Sequence, residues 1–211
     1  MSLTILLPTY NEAENINPLI LAIRKHVPKT DILVVDDNSP DGTAKKVKNA
    51  RVLLRTKNRG LTNSLRDGIK ASKTDFVGWM DCDFSHPPGV LPTLIKEVER
   101  GAAVAIATRN TYPLFSKIIN GLCMLFFGFD IHDYTTGFLV ARRSVLDAIP
   151  LRGNYGEYCI DLLVRAKRKG YRIEEIPYDS PPRKHGASKT SLTYGLGYLS
   201  TVWGLLWTSD R

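Results

Sequence analysis

Phe76-Val77-Gly78-Trp79-Met80-Asp81-Cys82-Asp83-Phe84-Ser85-His86-Pro87-Pro88 is the stretch from which the rest of the chain can be read. Five uncharged residues lead into two carboxylates at i and i+2, then into a Pro-Pro pair that opens a helix-period segment. A short, nearly continuous apolar run bounded by turn residues is the pattern of a strand buried on both faces. Runs of the same kind recur at 3–7, 32–35, 52–54, 104–107 and 138–141. Between them, residues 12–26, 41–48, 61–71, 88–100, 114–127 and 156–169 carry helical periodicity. This alternation predicts a single α/β domain: a mostly parallel sheet with helices on both faces. Ligands of such sheets bind beyond the carboxyl ends of the strands, so the post-strand loops should carry the chemistry.

Three of those loops read Pro8-Thr9-Tyr10-Asn11-Glu12, Asp36-Asp37-Asn38-Ser39-Pro40-Asp41 and Asp81-Cys82-Asp83-Phe84-Ser85-His86. Acidic groups therefore gather at strand ends in a chain that is basic overall. Asp41 has the place of a helix cap, and Asp83 or Ser85 could cap the helix beginning at Pro88. Asp81 and Asp83 together ask for more, because two adjacent carboxylates repel unless a cation lies between them. Mg²⁺ or Mn²⁺ takes such oxygen ligands and completes its shell with water and phosphate oxygens. No Gly-x-Gly-x-x-Gly follows the first strand, and His185-Gly186-Ala187-Ser188-Lys189-Thr190 lacks the Gly-Lys pair of a P-loop. An Asp-x-Asp after an apolar strand also opens haloacid-dehalogenase-type phosphohydrolases, with the first Asp as nucleophile. That motif normally sits on the first strand, and here it lies near residue 80, with Ser85 where Thr or Val is usual. The phosphohydrolase stays open as an alternative, as does a non-catalytic sugar- or lipid-binding subunit.

The chain has 211 residues, 43% hydrophobic and 24% charged, a globular composition that excludes a disordered or fibrous protein. Lys and Arg total 29 against 21 acidic residues, a net charge of +8, which favours polyanionic partners without choosing among them. Nucleic acid is not expected, since no nucleic-acid module is visible and the strand-end loops are acidic. Cys82, Cys123 and Cys159 show neither a CxxC pair nor metal-ligand spacing. The N-terminal apolar run lacks a preceding basic region and is cut by Pro8 and Asn11, so a cytoplasmic chain without a signal peptide is expected. The apolar stretches at 118–129 and 192–207 fall short of the ~20 residues that cross a bilayer.

Six motifs stand in one order: Pro8-Thr9-Tyr10-Asn11-Glu12; Val35-Asp36-Asp37-Asn38-Ser39-Pro40-Asp41; Asp81-Cys82-Asp83 with His86-Pro87-Pro88; Thr108-Arg109; Thr136-Gly137-Phe138; and Gly186-Ala187-Ser188-Lys189. Over residues 3–189 the chain resembles family 2 glycosyltransferases, and more closely the dolichyl-phosphate mannose synthases and related polyprenyl-phosphate glycosyltransferases. The resemblance implies a GT-A fold over residues 1–190 that binds a nucleotide sugar, most simply GDP-mannose, with Mg²⁺ or Mn²⁺. It implies that Pro8, Tyr10 and Glu12 line the base and ribose pocket, opposite Val35 and Asp37. Asp81, Cys82 and Asp83 would hold the metal and diphosphate, and Ser85 stands where relatives often have a glutamine metal ligand. Arg183 and Lys189 fall on a basic loop that would close over the diphosphate. Arg109, with Lys117, would clamp a phosphate acceptor. Polysaccharide-forming relatives carry a Glu-Asp pair seven and six residues before an arginine matching Arg165, and here Tyr158 and Cys159 occupy those places. Their absence favours an acceptor already anionic, a polyprenyl or dolichyl phosphate.

A lipid acceptor implies a route to the membrane. Residues 114–127 place large apolar groups on one helix, and the tail at 192–207 sets Tyr194, Tyr198, Trp203 and Trp207 among leucines and glycines. Residues 191–211 are therefore expected to form an interfacial helix, giving peripheral contact with the cytoplasmic face of a membrane, alone or through a small membrane subunit. Arg165, Lys167, Arg168 and Lys169 read as an ordinary solvated helix face.

Overall fold

The computed structural model describes residues 2–181 and 192–208, with the side chains of 192–194 left out. Seven strands form one sheet: β1 (Leu3–Thr9), β2 (Asp31–Asp36), β3 (Arg51–Leu54), β4 (Phe76–Trp79), β5 (Val104–Arg109), β6 (Leu139–Arg142) and β7 (Ile173–Tyr178). Their order is β3-β2-β1-β4-β6-β5-β7, all parallel except β6, which runs antiparallel between β4 and β5. The sheet is thus the mixed, mostly parallel one expected for a GT-A domain. Ile5, Leu6, Leu7, Val34 and Val35 are fully buried, so the two central parallel strands are apolar along their length because neither face meets water.

Among the described residues eight α-helices cover the sheet: α1 (Ile16–His26), α2 (Thr43–Lys46), α3 (Leu61–Ala71), α4 (Leu91–Glu99), α5 (Leu114–Phe127), α6 (Arg143–Ala148), α7 (Tyr158–Arg168) and α8 (Leu192–Trp207). One core cluster joins the sheet to α1 and α4, and the other joins it to α3, α5, α6, α7 and α8. The tail helix α8 seats Tyr198, Val202 and Leu205 in that second cluster. No described helix is long and apolar enough to cross a membrane.

Two elements were not legible. Strand β7 carries two adjacent glutamates and a proline at the sheet edge, where it is only half buried, and α6 is only six residues long. Helix α1 begins at Ile16 rather than residue 12, because Asn11 takes a left-handed φ of 58° and Glu12 accepts the amides of Asn15 and Ile16 in the turn before it. The basic stretch on α7 also departs from expectation. Arg165 is buried and pairs with Asp161 at 3.0 Å. Lys167 donates to Phe127 O at the end of α5, and Arg168 donates to Leu205 O and Thr208 O at the end of α8. Cations at helix C-termini satisfy orphan carbonyls and favour the helix dipole, so Lys167 and Arg168 fasten α5 and α8 to α7, while Lys169 is exposed as expected of a solvated face.

Candidate active site

The ends of β1, β2 and β4 come into line because Leu6 pairs with Trp79 and Thr9 with Asp36 in parallel register. Each of the three following loops contains one non-glycine residue with positive φ: Asn11 (58°), Asn38 (57°) and Phe84 (66°). Asn tolerates that conformation, but a bulky Phe does so at a cost of about 1–2 kcal/mol, the kind of strain that gathers at functional sites. The first two loops are stitched together. Asn11 N donates to Ser39 Oγ at 2.9 Å, Glu12 N to Thr43 Oγ1 at 2.9 Å and Ala13 N to Asp41 Oδ2 at 3.0 Å. Asp41 also accepts from Thr43 N at 2.9 Å, but the cap position of α2 belongs to Gly42, one residue after the place expected. Burial works against its charge, but the hydrogen bonds from Thr43 and Ala13 hold its carboxyl below the ordinary value.

Over these loops lies a cavity of about 470 Å³, lined by Pro8, Tyr10, Glu12, Asp37, Asp81, Cys82 and Asp83 among others. Seven of the ten residues expected to hold the donor therefore meet in one place. Of the other three, Val35 is fully buried in the core beneath, against α3, and Arg183 and Lys189 lie outside the described residues. The cavity also takes in Arg59, Gly60, Leu61, Ser64, Asn154 and Tyr155, which sequence reasoning missed. The Asn58-Arg59-Gly60 turn before α3 was the available signal, since Gly60 has a φ of 127°. Asn154 and Tyr155 gave none, because only the fold brings them there.

Asp37 is buried and heavily engaged. Its Oδ1 accepts from the Arg55 guanidinium and from Ser64 Oγ at 3.0 Å, and its Oδ2 accepts from Gly60 N at 2.7 Å. Arg55 is itself buried and also donates to Asp67 at 2.7 Å. The carboxylate at the cavity wall is thus fixed in place from behind.

Asp81 and Asp83 follow β4, with Cys82 Sγ at 3.6 Å from Pro8 O. Asp83 is buried and its Oδ1 accepts from Ser85 N at 3.0 Å and from Ser85 Oγ at 2.6 Å. Ser85 therefore orients Asp83 through its hydroxyl proton. Asp81 is more open, its side chain 44% exposed. No group of three His, Cys, Asp or Glu residues converges on a metal position among the described residues. A carboxylate pair facing a cavity is nonetheless the donor set that suits a hard divalent cation whose remaining ligands come from substrate phosphates and water. His86, behind the pair, is buried, and that burial pushes its pKa down.

Arg109 does not line this cavity. Its Nε and Nη2 bind both oxygens of Asp133 at 2.8 Å, and Nη2 also donates to Thr135 Oγ1 at 2.7 Å. Burial lowers the guanidinium pKa, but the Asp133 hydrogen bond and charge more than reverse this. Burial likewise raises Asp133, and Arg109 brings it to a net value below the ordinary one. Lys117 is exposed on α5. Tyr158 OH accepts from Trp79 Nε1 at 2.8 Å, and burial drives the Tyr158 hydroxyl and the Cys159 thiol well above their ordinary pKa values. Arg183 and Lys189 lie outside the described residues.

A family model described as "Glycosyl transferase family 2" matches residues 4–149. The dolichol-phosphate mannosyltransferase of Pyrococcus furiosus is 30% identical over 98% of this chain, which spans 64% of that relative's length. The polyprenol monophosphomannose synthase of Mycolicibacterium smegmatis is 32% identical, over 89% of this chain and 80% of the relative. The undecaprenyl-phosphate mannosyltransferase of Micrococcus luteus is 33% identical, over 90% and 88%. Among solved structures, glucosyl-3-phosphoglycerate synthase from Mycobacterium tuberculosis with Mn²⁺, UDP-glucose and phosphoglyceric acid overlays at a TM-score of 0.84 and 19% identity, over 100% of this chain and 81% of that one. At that identity the likeness is one of fold, and it corrects the expectation of GDP-mannose and dolichyl phosphate. The same architecture holds a different sugar nucleotide and a small phosphate acceptor. The physical reason is that a carboxylate pair suits a cation that any diphosphate could share, so the pair carries no information about base, sugar or acceptor.

Proposed function

The chain belongs to glycosyl transferase family 2, and from that premise we propose that it transfers a sugar, with inversion, from a nucleotide sugar to a phosphate-bearing acceptor. One observation carries the reading: Asp81 and Asp83 stand at the end of β4 on the wall of a cavity of about 470 Å³ whose wall also includes the anchored Asp37. Asp37, Tyr10, Glu12 and Pro8 hold the nucleoside, and Asp81 and Asp83 hold Mg²⁺ or Mn²⁺. When bound, that cation neutralises the charge that develops on the departing diphosphate. An oxygen of the acceptor forms a bond to the anomeric carbon as the bond from that carbon to the diphosphate oxygen breaks, its electron pair leaving with the nucleoside diphosphate. Arg183 and Lys189 are assigned to the same leaving group by their place in the motif order.

The acceptor follows from what α7 lacks. Tyr158 and Cys159 are buried with raised pKa values, Glu157 is used by the amides of Asn154 and Tyr155, and Asp161 is used by Arg165. None is placed to take a hydroxyl proton at neutral pH. A phosphate monoester is anionic there and needs no base.

The outward faces of α5 and α8 favour peripheral contact with a lipid surface. Leu114, Ile118, Leu125, Phe126, Leu196, Leu199, Trp203 and Trp207 are exposed, and neither helix contains an acidic residue. Trp among aliphatic side chains suits a headgroup boundary.

The test is to incubate the protein with Mn²⁺ and a panel of labelled nucleotide sugars, with phosphoglycerate in one arm and a lipid-borne phosphate monoester in vesicles in the other. The expected result is a metal-dependent glycosyl phosphate of inverted anomeric configuration, with turnover falling at least about 100-fold in Asp83→Ala. Absence of transfer from every donor, together with a phosphorylated Asp81 after exposure to phosphate esters, would establish the phosphohydrolase instead.

A further inference from the structure

The two carboxylates assigned to the metal are held unequally. Asp83 accepts two hydrogen bonds from Ser85, at 3.0 and 2.6 Å, whereas the Asp81 carboxylate has no hydrogen-bond donor among the described residues. The His86 ring lies beside it, with Nε2 3.9 Å from Asp81 Oδ2.

The His86 ring is itself immobilised. It stacks on Phe138 at a centroid distance of 5.1 Å and an interplanar angle of 17°, and Tyr178 meets it edge-on at 6.3 Å. Its Nδ1 accepts the Asp81 amide at 2.9 Å. A ring nitrogen that accepts carries no proton, so the neutral imidazole must carry its hydrogen on Nε2, the atom that faces the Asp81 carboxylate. Gly137 borders the same space. A Cβ there would lie 3.4 Å from His86 Cε1 and 3.7 Å from Asp81 Oδ1, so Gly137 is in contact range of both ring and carboxylate.

We propose that His86 is the positioning residue for Asp81: the hydrogen bond to Nδ1 fixes its backbone, and the Nε2 hydrogen, at 3.9 Å too far for a hydrogen bond, attracts Oδ2 electrostatically so that Oδ1 is presented to the cation. Ser85 performs the matching service for Asp83. Outer-shell groups of this kind set the orientation of a metal ligand and are worth about 10–100-fold in metal affinity. The inference rests on the metal-dependent reading of the site given above.

The experiment measures Mn²⁺ binding by electron paramagnetic resonance, with UDP and with GDP separately, in the wild type, His86→Asn and His86→Gln. Asn can replace the acceptor toward the Asp81 amide but not the Nε2 donor, whereas Gln can reach the donor position. The expected result is Mn²⁺ binding weakened about tenfold or more in His86→Asn, with His86→Gln between it and the wild type. In turnover assays the loss should appear in the KM for Mn²⁺, with kcat at saturating metal within about twofold of wild type. Equal Mn²⁺ affinity in wild type and His86→Asn, both folded, would reduce His86 to a packing residue and overturn the proposal. A wild type that binds no Mn²⁺ with either nucleotide would instead overturn the metal-dependent reading itself. The ¹⁵N resonances of His86 in the wild-type protein give a readout that no variant's folding can spoil. The Nε2–H tautomer is expected, and an Nδ1–H tautomer would sink the proposal whatever the variants do.

Discussion

Asp133 is the most deeply buried carboxylate tied to Arg109, with none of its side chain exposed against 16% for the arginine. Desolvation opposes its charge, yet the paired guanidinium holds its pKa below 3.8, so its protonation is linked to folding in a definite direction. Above both values the carboxylate is ionised in folded and unfolded chains, and its full contribution is present. As pH falls through 3.8 the unfolded chain takes up the proton first, and the contribution drains away until the folded value is passed. Asp133→Asn leaves a buried guanidinium half-paired and should cost about 3 kcal/mol at pH 7. Urea unfolding of wild type and variant between pH 7 and 3 should show that difference constant at first and shrinking below about pH 4. The same pair explains what was and was not legible at this scale. Asp81 and Asp83 announce themselves because their chemistry is local in sequence. The partners of Asp37 and Arg109 lie 18 and 24 residues away and meet them only through the fold.

At the scale of elements, the helices with matched boundaries, α3 and α5, are those whose apolar face is periodic and whose ends meet Gly, Ser or Pro. Strand β7 escaped because an edge strand need not be apolar. Helix α8 is apolar all round, so its sequence did not reveal which face is buried; the structure shows that Tyr198, Val202 and Leu205 face inward. Its docking depends on one close approach. A Cβ on Gly156 would lie 1.9 Å from the Tyr198 hydroxyl oxygen and 3.0 Å from its Cζ. Gly156→Ala should therefore displace α8 and destabilise the protein by about 2 kcal/mol, as overpacking does. Adding Tyr198→Phe removes the nearest atom and should recover part of the loss in thermal unfolding. The opposite face of α8 gives a second, separable prediction. Trp203→Glu with Phe126→Glu alters exposed positions only, so melting should hardly change while sedimentation with anionic vesicles falls at least about tenfold.

The whole molecule separates two kinds of charge that composition merges into a net +8. Carboxylates gather at the carboxyl end of the sheet, where Asp37, Asp81 and Asp83 meet the cavity, while cations such as Arg55, Arg109, Arg165, Lys167 and Arg168 are spent on internal pairs and helix ends. Net charge was therefore a poor guide to the site, and strand order a good one. The site depends in turn on how tightly β4 lies against its neighbours. Gly78 sits in the middle of that strand, between β1 and β6, and a Cβ there would come 2.9 Å from Leu139 O, 2.9 Å from Val140 Cγ2 and 3.0 Å from Ile5 Cδ1. The first of these is backbone, which a side-chain rotation cannot relieve. Gly78→Ala must push β6 away from β4, costing about 1–3 kcal/mol, or roughly 2–4 °C in Tm for each kcal/mol in a domain of this size. Because Asp81 follows on the same strand, that shift should reach the site as well. Mn²⁺ affinity and stability are expected to fall together in Gly78→Ala, and a lower melting temperature with unchanged Mn²⁺ affinity would show that the loop after β4 holds its geometry independently of the sheet.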